Sequence, residues 1–287
     1  MSVASIPSVS SPSKLRRVAL AGNPNAGKTT LFNALTGLRQ RVGNYPGVTV
    51  EKKEGRTRLG SGLEASILDL PGTYSLSPKS PDEEIARDVL LGLRADTPPP
   101  DVVVVFVDAS NLARNLYLAT QVMELGIPTV IALNMIDMAQ KDGIAIDAPA
   151  LQRAIGAPVV EIVASKGIGL DKLREVLSNP VAEPQPPALT LSSSLGEARR
   201  SLALKVSESE GLHHPEGLAL RLLCGNASAE AVGRAFGSPV AQMLEKLREG
   251  GSFKPGDETN ARYDAIAPVV EACTHRNQVA VKNSFTD

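Results

Sequence analysis

The stretch RRVALAGNPNAGKTTLFNALTG, residues 16–37, predicts a strand, a glycine-containing loop and a helix in direct succession. RRVALAG is apolar at successive positions, which is typical of a strand covered on both faces. Residues 22–29 fit the pattern G-x-x-x-x-G-K-[ST], whose glycines let backbone N–H groups curl around phosphates. In this pattern Lys28 reaches the β- and γ-phosphates and the Thr29 hydroxyl ligates Mg²⁺. The stretch therefore predicts a phosphate-binding loop at the start of a helix.

Further aliphatic runs repeat the same rhythm along the first 178 residues. They are ASILDL at 65–70, DVVVVFVDA at 101–109, PTVIALN at 128–134 and APVVEIV at 157–163. Runs of this kind, separated by helical patterns, predict an α/β fold with a mainly parallel sheet and helices on both faces. VTVEKKEGRTRLGSG at 48–62 has a charged alternation and a glycine-rich end, so it predicts one antiparallel edge strand.

The composition changes near residue 179, and this change predicts the domain organisation. A proline-rich stretch begins there and cannot be helical, whereas the segments beyond it repeat apolar residues at helical spacing. We expect a disordered leader at 1–14, a nucleotide-binding domain at 15–178, a linker at 179–192, a small all-α domain at 193–276 and a tail at 277–287.

Charge and composition exclude several classes of function. The 287 residues have a formal net charge of −1, 3% aromatic residues and no Trp, which argues against nucleic acid as a partner. The two cysteines are far apart, so neither a disulfide framework nor a closely spaced zinc site is expected. The longest apolar run is much shorter than the roughly 20 residues that a membrane-spanning helix needs.

Two residues, one in the run ASILDL and one just after it, complete the predicted phosphate site. Asp69 stands at the end of that strand, where an acidic residue can lie near the metal ion. Gly72 follows in DLPG, and its backbone N–H is the predicted sensor of the γ-phosphate. Thr73 stands where Ras-like proteins have the glutamine that orients the attacking water, so we expect slow intrinsic hydrolysis.

The choice of base is predicted from NMID at 134–137, which ends the run PTVIAL. The Asp137 carboxylate can accept two hydrogen bonds from guanine, a pattern that adenine cannot supply, so GTP is favoured over ATP. VASKG follows the next strand. There the backbone N–H of Ser165 is expected to meet the guanine O6, and the stem of Lys166 to lie along the base.

These segments together resemble the GTP-binding domain of the ferrous iron transport protein B family. The resemblance rests on GNPNAGKT, VGNYPGVTVE, DLPGTYSL, NMID and VASKG, in this order and at these spacings. Many small GTPases have Lys at the position of Met135, so the motif NMID makes the resemblance to this family more specific. A small helical domain ending in a segment such as ARYDAIAPVVEAC also belongs to that family, where it resembles a GDP-dissociation inhibitor.

The resemblance implies a P-loop GTPase fold and a set of site residues. Thr49 would join Thr29 and Asp69 as ligands of Mg²⁺, and K⁺ would be held by Asn25 with the carbonyls of Gly43 and Tyr45. Asn25 and Lys28 would be the catalytic residues. The implied nucleotide site consists of Gly22, Asn23, Pro24, Asn25, Ala26, Gly27, Lys28, Thr29, Thr30, Gly47, Val48, Thr49, Asp69, Gly72, Asn134, Met135, Asp137, Ala164, Ser165 and Lys166.

The function implied by the resemblance is a K⁺-stimulated, Mg²⁺-dependent GTPase switch that regulates ferrous iron uptake. Its partners would be a membrane permease domain and small cytosolic accessory proteins, at the cytoplasmic face of the bacterial inner membrane, and a homo-oligomer is left open. Family members have a membrane domain after these two, and this sequence ends at Asp287. We therefore expect either a portion of a longer transporter or a permease on a separate chain, and favour the first.

Two alternatives to this function stay open. A soluble Era-like GTPase acting in ribosome assembly or RNA modification would need a basic C-terminal domain, and the second half of this chain is not basic. An interaction module would hold its nucleotide without turning it over.

Three groups of residues could act in catalysis or bind a metal, and we give each a structural interpretation. Ser80-Pro81 begins a helix, so we interpret Asp82, Glu83 and Glu84 as its acidic first turn and not as catalytic bases. His213, His214 and Cys224 do not have the spacing of an iron site. Cys273 is expected to be a small buried residue on a helix.

Overall fold

The computed structural model describes residues 15–37, 40–60, 62–209, 214–251 and 253–276, so the predicted leader and tail lie outside it. The strands are β1 (Arg16–Gly22), β2 (Gln40–Asn44), β3 (Glu51–Arg58), β4 (Glu64–Asp69), β5 (Val102–Asp108), β6 (Thr129–Asn134), β7 (Ile144–Ile146), β8 (Val159–Glu161) and β9 (Thr274–Arg276). The helices are α1 (Lys28–Thr36), α2 (Pro81–Leu90), α3 (Leu112–Glu124), α4 (Ile136–Lys141), α5 (Ala148–Ile155), α6 (Leu170–Ser178), α7 (Ser193–Val206), α8 (Pro215–Cys224), α9 (Ala229–Phe236), α10 (Ser238–Glu249) and α11 (Pro255–Cys273).

Within the described residues, seven strands form one sheet in the order β2-β3-β4-β1-β5-β6-β8. The pairs β1–β4, β1–β5, β5–β6 and β6–β8 are parallel, which confirms the predicted mainly parallel sheet. Successive side chains of β1 enter different cores: Val18 and Leu20 pack on one face, and Ala19 and Ala21 pack on the other. This burial on both faces is why the strand sequences are continuously apolar.

The antiparallel edge is wider than the sequence predicts. β3 pairs with β4 in antiparallel register, as expected, and β2 then pairs antiparallel with β3 on the outside. The sequence analysis does not predict β2, because QRVGN has a single apolar side chain, Val42, and all five residues are exposed. Backbone hydrogen bonds to β3, and not a buried face, hold this strand in place.

The chain from α6 to α7 has no regular secondary structure, and the helices that follow have a core of their own. We call α7–α10 the four-helix unit. Leu195, Leu202, Leu222 and Leu244 are among the fully buried side chains at its centre.

Helix α11 leaves the four-helix unit and packs against α3 and α5 beside the sheet. Its residues Ile266, Val269 and Cys273 belong to a core on one face of the sheet, which confirms the buried helical position of Cys273. β9 follows directly and pairs antiparallel with β7. The sequence analysis does not predict β9, because three residues after a helix give no strand pattern.

Four charged side chains join these elements, and we call them the ionic clasp: Glu124 on α3, Arg221 on α8, and Glu258 and Arg262 on α11. The Arg221 guanidinium lies 2.8 Å from the Glu258 carboxylate, and Arg262 pairs with both glutamates. Arg262 also donates to the Thr120 hydroxyl at 2.9 Å. The clasp balances two positive and two negative charges; Arg221, Glu258 and Arg262 are buried, and the Glu124 side chain is 13% exposed.

No helix among the described residues is both long enough and apolar enough to cross a membrane.

Candidate nucleotide-binding site

The phosphate loop lies between β1 and α1, and two of its glycines have no room for a side chain. A Cβ on Gly22 would lie 2.8 Å from the Cβ of Phe106, and one on Gly27 would lie 2.9 Å from the Asn134 amide nitrogen. Gly27 and Asn25 both have positive φ values, 94° and 62°, which turn the chain sharply before α1. The loop therefore has the tight backbone that a phosphate cradle requires.

Lys28 is the first residue of α1 and is nearly buried in the loop. Its ammonium group donates to the Asn23 carbonyl at 3.4 Å. Burial lowers the pKa of Lys28, and the nearby Asp69 carboxylate opposes this effect. A buried ammonium group would attract a phosphate ligand strongly, because the low local dielectric strengthens the interaction between opposite charges.

Thr29 and Asp69 meet at the bottom of the site, although they are 40 residues apart. The Thr29 hydroxyl donates to Asp69 Oδ2 at 3.3 Å, whereas Asp69 Oδ1 is buried without a hydrogen-bond partner. Burial raises the pKa of Asp69, and Lys28 and then Lys53 oppose the rise. An unpaired buried carboxylate oxygen beside a hydroxyl is a donor set that fits a hard divalent cation.

The backbone after Asp69 lies directly on the phosphate loop. A Cβ on Gly72 would lie 2.9 Å from the Cα of Pro24, and the Thr73 N–H donates to the Gly22 carbonyl at 3.1 Å. The Thr73 hydroxyl is occupied, because it donates to the Ser75 carbonyl at 2.6 Å. The segment 72–80, which we call the second switch, therefore begins in contact with the site, and its Thr73 hydroxyl is not free to orient water.

Asp82, Glu83 and Glu84 lie in the first turn of α2, as the sequence predicts, and Glu83 takes part in its cap. The Ser80 hydroxyl accepts from the Glu83 N–H at 3.3 Å, and Glu83 accepts from the Lys79 N–H at 2.7 Å. This reciprocal cap stabilises the first turn of α2. Asp82 and Glu83 also line a cavity of about 480 Å³ beside the phosphate loop, together with Glu51 and Lys53.

Residues 45–50, which we call the first switch, form a turn. The Tyr45 N–H donates to the Val50 carbonyl at 2.9 Å, and the Tyr45 carbonyl accepts from Val48 at 3.2 Å. Thr49 is exposed. Gly43 lies in β2, in register with Lys52. The predicted switch ligands Gly43, Tyr45 and Thr49 are not among the residues that line the cavity containing Asn25, Thr29 and Asp69, although Val50 is.

Tyr45 anchors the first switch in this conformation. Its side chain is 1% exposed, and its hydroxyl is buried without a hydrogen-bond partner. The Lys52 ammonium and the Arg94 guanidinium each lie 5.4 Å from the ring centroid, within cation–π range. Arg94 also donates to the Pro46 carbonyl at 3.2 Å. Burial raises the pKa of Tyr45, so the phenol stays neutral.

At the other end of the site, Asn134 joins two loops. Its side-chain amide donates to the Ala26 carbonyl at 3.0 Å and accepts from the Ala164 N–H at 3.2 Å. The next residue, Met135, has a φ of 60°, which turns the chain into α4. Asn134 thus fixes the phosphate loop against the loop that carries Ser165.

Asp137 and Lys166 lie together at the edge of the site, 2.9 Å apart. The hydrogen bond from Lys166 is the main reason why the pKa of Asp137 is lowered. Asp137 is therefore ionised at neutral pH and can accept hydrogen bonds from a ligand. Both side chains remain partly open to solvent, as a base-binding edge requires.

A model of the N-terminal region of ferrous iron transport protein B matches residues 16–177 of the chain. The chain belongs to the ferrous iron transport protein B family. The match covers more than half of the chain and contains every residue predicted for the nucleotide site. The predicted P-loop GTPase fold, with its mainly parallel sheet and antiparallel edge, is confirmed by this match and by the structure.

Individual members of the ferrous iron transport protein B family are similar over most of this chain. The Fe(2+) transporter FeoB of Salmonella typhimurium strain LT2 is 38% identical over 262 residues, which are 90% of this chain and 33% of the transporter. The cytosolic domain of L. pneumophila FeoB has a TM-score of 0.78 at 37% identity, covering 91% of this chain and all of that one. The GDP form of the T. maritima FeoB cytosolic domain has a TM-score of 0.74 at 33% identity and likewise covers 92% and 100%. The chain thus spans about a third of the length of the curated family members that it matches.

Sequence reasoning from the ferrous iron transport protein B motifs misses two side chains that hold the second switch. Gln121 on α3 accepts from the Leu76 N–H at 2.7 Å. Asn226, in the loop after α8, donates to the Pro78 carbonyl at 3.3 Å and accepts from Arg87. No local pattern could have identified them, because their partners are 45 and 148 residues away.

The candidates for metal binding outside this site are not brought together. Among the described residues, no group of three or more His, Cys, Asp and Glu side chains is arranged to hold a metal ion. His213 lies outside those residues, and Cys224 is buried in the four-helix unit.

Proposed function

We propose that this chain is the nucleotide-controlled regulatory part of a ferrous iron transporter, which binds GTP with Mg²⁺ and hydrolyses it with K⁺ stimulation. The observation that carries the proposal is the meeting of Thr29 with Asp69 next to the buried Lys28. A threonine hydroxyl, an unpaired carboxylate oxygen and a dry ammonium group form a receptor for a metal–phosphate complex.

Thr29 and Asp69 would hold Mg²⁺, which supplies neutralisation of the charge that develops on the β- and γ-phosphates. Thr49 would complete this set. It is exposed in the turn anchored by Tyr45 and does not line the cavity beside the phosphate loop, so we expect its approach to involve a movement of the first switch. The sequence motif and the present geometry together support a loop that changes conformation with the nucleotide.

Asn25 and Lys28 would be the catalytic side chains, and both line the cavity beside the phosphate loop. K⁺ held by Asn25 would supply the charge of an arginine finger. The Tyr45 carbonyl already accepts from Val48, and Gly43 lies in the β2 ladder. Each carbonyl oxygen has two lone pairs, so the Tyr45 carbonyl could accept from Val48 and still contribute to a K⁺ site.

Selectivity for guanine would come from Asp137, whose lowered pKa keeps it an acceptor. Guanine offers two donors to such a carboxylate, and adenine does not. Ser165 and Lys166 would complete the base site from the loop that Asn134 holds in place.

The second switch would couple the nucleotide state to the four-helix unit. Thr73 contacts the phosphate loop at one end of this segment, and Pro78 contacts Asn226 near the other. A movement at Gly72 would thus change the hydrogen bond that connects the second switch to the loop after α8. In the same way the four-helix unit would restrain the second switch and slow the release of GDP.

The family and the length of its members support the remaining parts of the proposal. The curated relatives are Fe(2+) transporters about three times as long as this chain. We propose that the chain acts with a membrane permease domain at the cytoplasmic face of the bacterial inner membrane. Small cytosolic accessory proteins and self-association are further proposed partners, and nucleic acid is not.

Calorimetric titration of GTP and ATP, with and without Mg²⁺, tests the nucleotide site. The unchanged chain should prefer GTP and bind it more tightly with Mg²⁺. Thr29→Ala should lose at least about tenfold of this Mg²⁺-dependent affinity, since a hydrogen-bonding ligand of the ion is removed. Thr190→Ala, at an exposed position of the linker, is the control and should match the unchanged chain. Equal binding of ATP, or no effect of Mg²⁺, would refute the site as proposed.

A further inference from the structure

Strand β2 forms the outer edge of the seven-stranded sheet, and among the described residues no strand pairs with its outer side. All five of its residues are exposed. An edge strand presents unpaired N–H and C=O groups, and proteins usually protect such an edge with lysine, proline or a bulge. QRVGN, residues 40–44, contains neither lysine nor proline, and its pairing with β3 is continuous without a bulge. β2 is therefore an open edge that can accept a further strand.

The hydrogen bonding of the neighbouring turn shows which backbone groups of β2 point outward. The Tyr45 N–H donates to the Val50 carbonyl at 2.9 Å, so it points toward the β3 side. Along an antiparallel strand, successive residues direct their N–H and C=O groups to alternate sides. The register of β2 with β3 is unbroken over all five residues. The backbone groups of Gln40, Val42 and Asn44 therefore point away from β3 and into solvent.

A second copy of β2 fits this edge best in one antiparallel register. Residues that point outward exchange hydrogen bonds only with residues that point outward on the other strand. Val42 then pairs with Val42 of the second copy, and Gln40 pairs with Asn44. This register uses every outward-pointing residue of both strands and forms about six backbone hydrogen bonds, two for each pair. Any other antiparallel register leaves outward-pointing residues of β2 unpaired.

The side chains of β2 are complementary to themselves in this register. Val42 is apolar and 56% exposed, and it would face its own copy, so that both side chains lose exposed apolar surface. Arg41 would lie opposite Gly43, so the two guanidinium groups do not face each other. A register centred on Arg41 would place these like charges directly opposite, which is destabilising. A register centred on Gly43 would leave Gln40 and Arg41 outside the pairing.

We propose that β2 is a self-association surface, at which two copies of this chain pair antiparallel about Val42 and join their sheets. The occupant is a second copy because the same five residues supply both halves of a matched register. The proposal rests on the self-association that the proposed function includes, and it needs no nucleotide. β2 continues into the first switch at Tyr45, so pairing fixes the strand from which the first switch of each copy begins.

Disulfide cross-linking of the full chain tests the register, because both native cysteines are buried and an introduced cysteine on β2 is exposed. The Cα atoms of a hydrogen-bonded antiparallel pair are about 5.5 Å apart, within the roughly 4.4–6.8 Å that a disulfide spans. Val42→Cys should therefore form a covalent dimer on mild oxidation. Gln40→Cys and Asn44→Cys are the controls, since each residue would lie more than about 13 Å from its own copy. A mixture of these two variants should cross-link at least about tenfold faster than either alone.

Sedimentation velocity over a series of concentrations tests the association without added cysteines. The unchanged chain should show an equilibrium between monomer and dimer. Val42→Lys places two ammonium groups opposite each other and should raise the dissociation constant at least about fivefold. The control Val42→Thr keeps a β-branched side chain, which suits a strand, and should still form dimers. A mixture of Val42→Lys and Val42→Glu should recover dimers, because opposite charges then face each other, and this recovery also shows that both variants are folded.

Three outcomes would overturn the proposal. Equal cross-linking rates for the single variants and the mixture would show random collision instead of a defined register. Rapid cross-linking of Gln40→Cys with itself would show a different pairing, such as a parallel one. An unchanged chain that stays monomeric at every concentration would leave the edge to an extended segment of another protein. None of these results depends on GTP, so failure here and failure of the nucleotide site are distinguishable.

Discussion

Replacing Arg262 by Met should destabilise the protein strongly, because it removes one charge from the ionic clasp. Arg262 is 0% exposed, and its guanidinium pairs with Glu124 and Glu258. Without it, the two carboxylates share Arg221 alone. Breaking a buried pair from one side costs about 3–5 kcal/mol. We expect a loss of that size in the free energy of unfolding.

The assay is urea unfolding followed by far-UV circular dichroism, since the chain has no Trp for fluorescence. Arg234→Met is the matched control. Arg234 forms an i,i+4 pair with Glu230, and both side chains are largely exposed. Exposed pairs of this kind are worth roughly 0–1 kcal/mol, so the control should remain within about 1 kcal/mol of the unchanged chain.

The double variant Glu258→Gln/Arg262→Met separates charge imbalance from lost packing. It leaves Glu124 with Arg221, one charge of each sign, so its cost should be below the sum of the single costs by about 1–3 kcal/mol. Strictly additive costs, or a single cost for Arg262→Met no larger than the control, would refute the argument that the clasp acts as one balanced unit.

The clasp also gives stability a defined dependence on pH. Burial alone would raise the pKa of Glu258, but Arg221 and Arg262 outweigh it and hold the pKa below its ordinary value of 4.5. A lowered pKa in the folded state contributes stability above the unfolded-state value, and this contribution is lost as the pH falls through the folded-state value. Arg262→Met should therefore weaken the loss of stability below about pH 4.5 in urea titrations at several pH values.

Four further predictions concern the nucleotide site. Asn134→Ala leaves the Ala26 carbonyl and the Ala164 N–H unpaired, so urea unfolding should show a loss of about 1–3 kcal/mol; an unchanged value would mean that other groups satisfy them. Asp137→Asn should lower the preference for GTP over ATP at least about tenfold in competition binding, with Asp142→Asn as the unaffected control. Unchanged selectivity would mean that the guanine base does not contact Asp137. Asn25→Gly, which tolerates the positive φ at this position, should bind GDP but lose K⁺ stimulation of hydrolysis, and retained stimulation would exclude Asn25 as the K⁺ ligand. Asn226→Ala frees the Pro78 carbonyl and should speed GDP release in stopped-flow experiments without altering base selectivity; an unchanged rate would contradict the proposed coupling.

The parts of the fold that could be predicted are those with a local signal. The phosphate loop is recognisable because its glycines must occupy positions without room for a Cβ, as Gly22 against Phe106 shows. The parallel strands are recognisable because burial on both faces requires unbroken apolar runs. The cap at Ser80 is recognisable because its partners lie within four residues.

The parts that could not be predicted depend on distant partners. β2 is held by backbone bonds to β3 and has no apolar pattern. Tyr45 could be expected to offer a carbonyl, but nothing local shows that its ring is buried and within cation–π range of Lys52 and Arg94. Asn226 contacts the second switch across 148 residues. Such contacts follow from how the units pack, which a single sequence does not encode in short motifs.

Phosphate release from GTP, with ATP alongside, in matched K⁺ and Na⁺ buffers containing Mg²⁺, tests the central claim most directly. The account predicts repeated turnover of GTP and not of ATP, with faster turnover in K⁺. Turnover of ATP at a similar rate, or GTP binding without turnover in either salt, would contradict it.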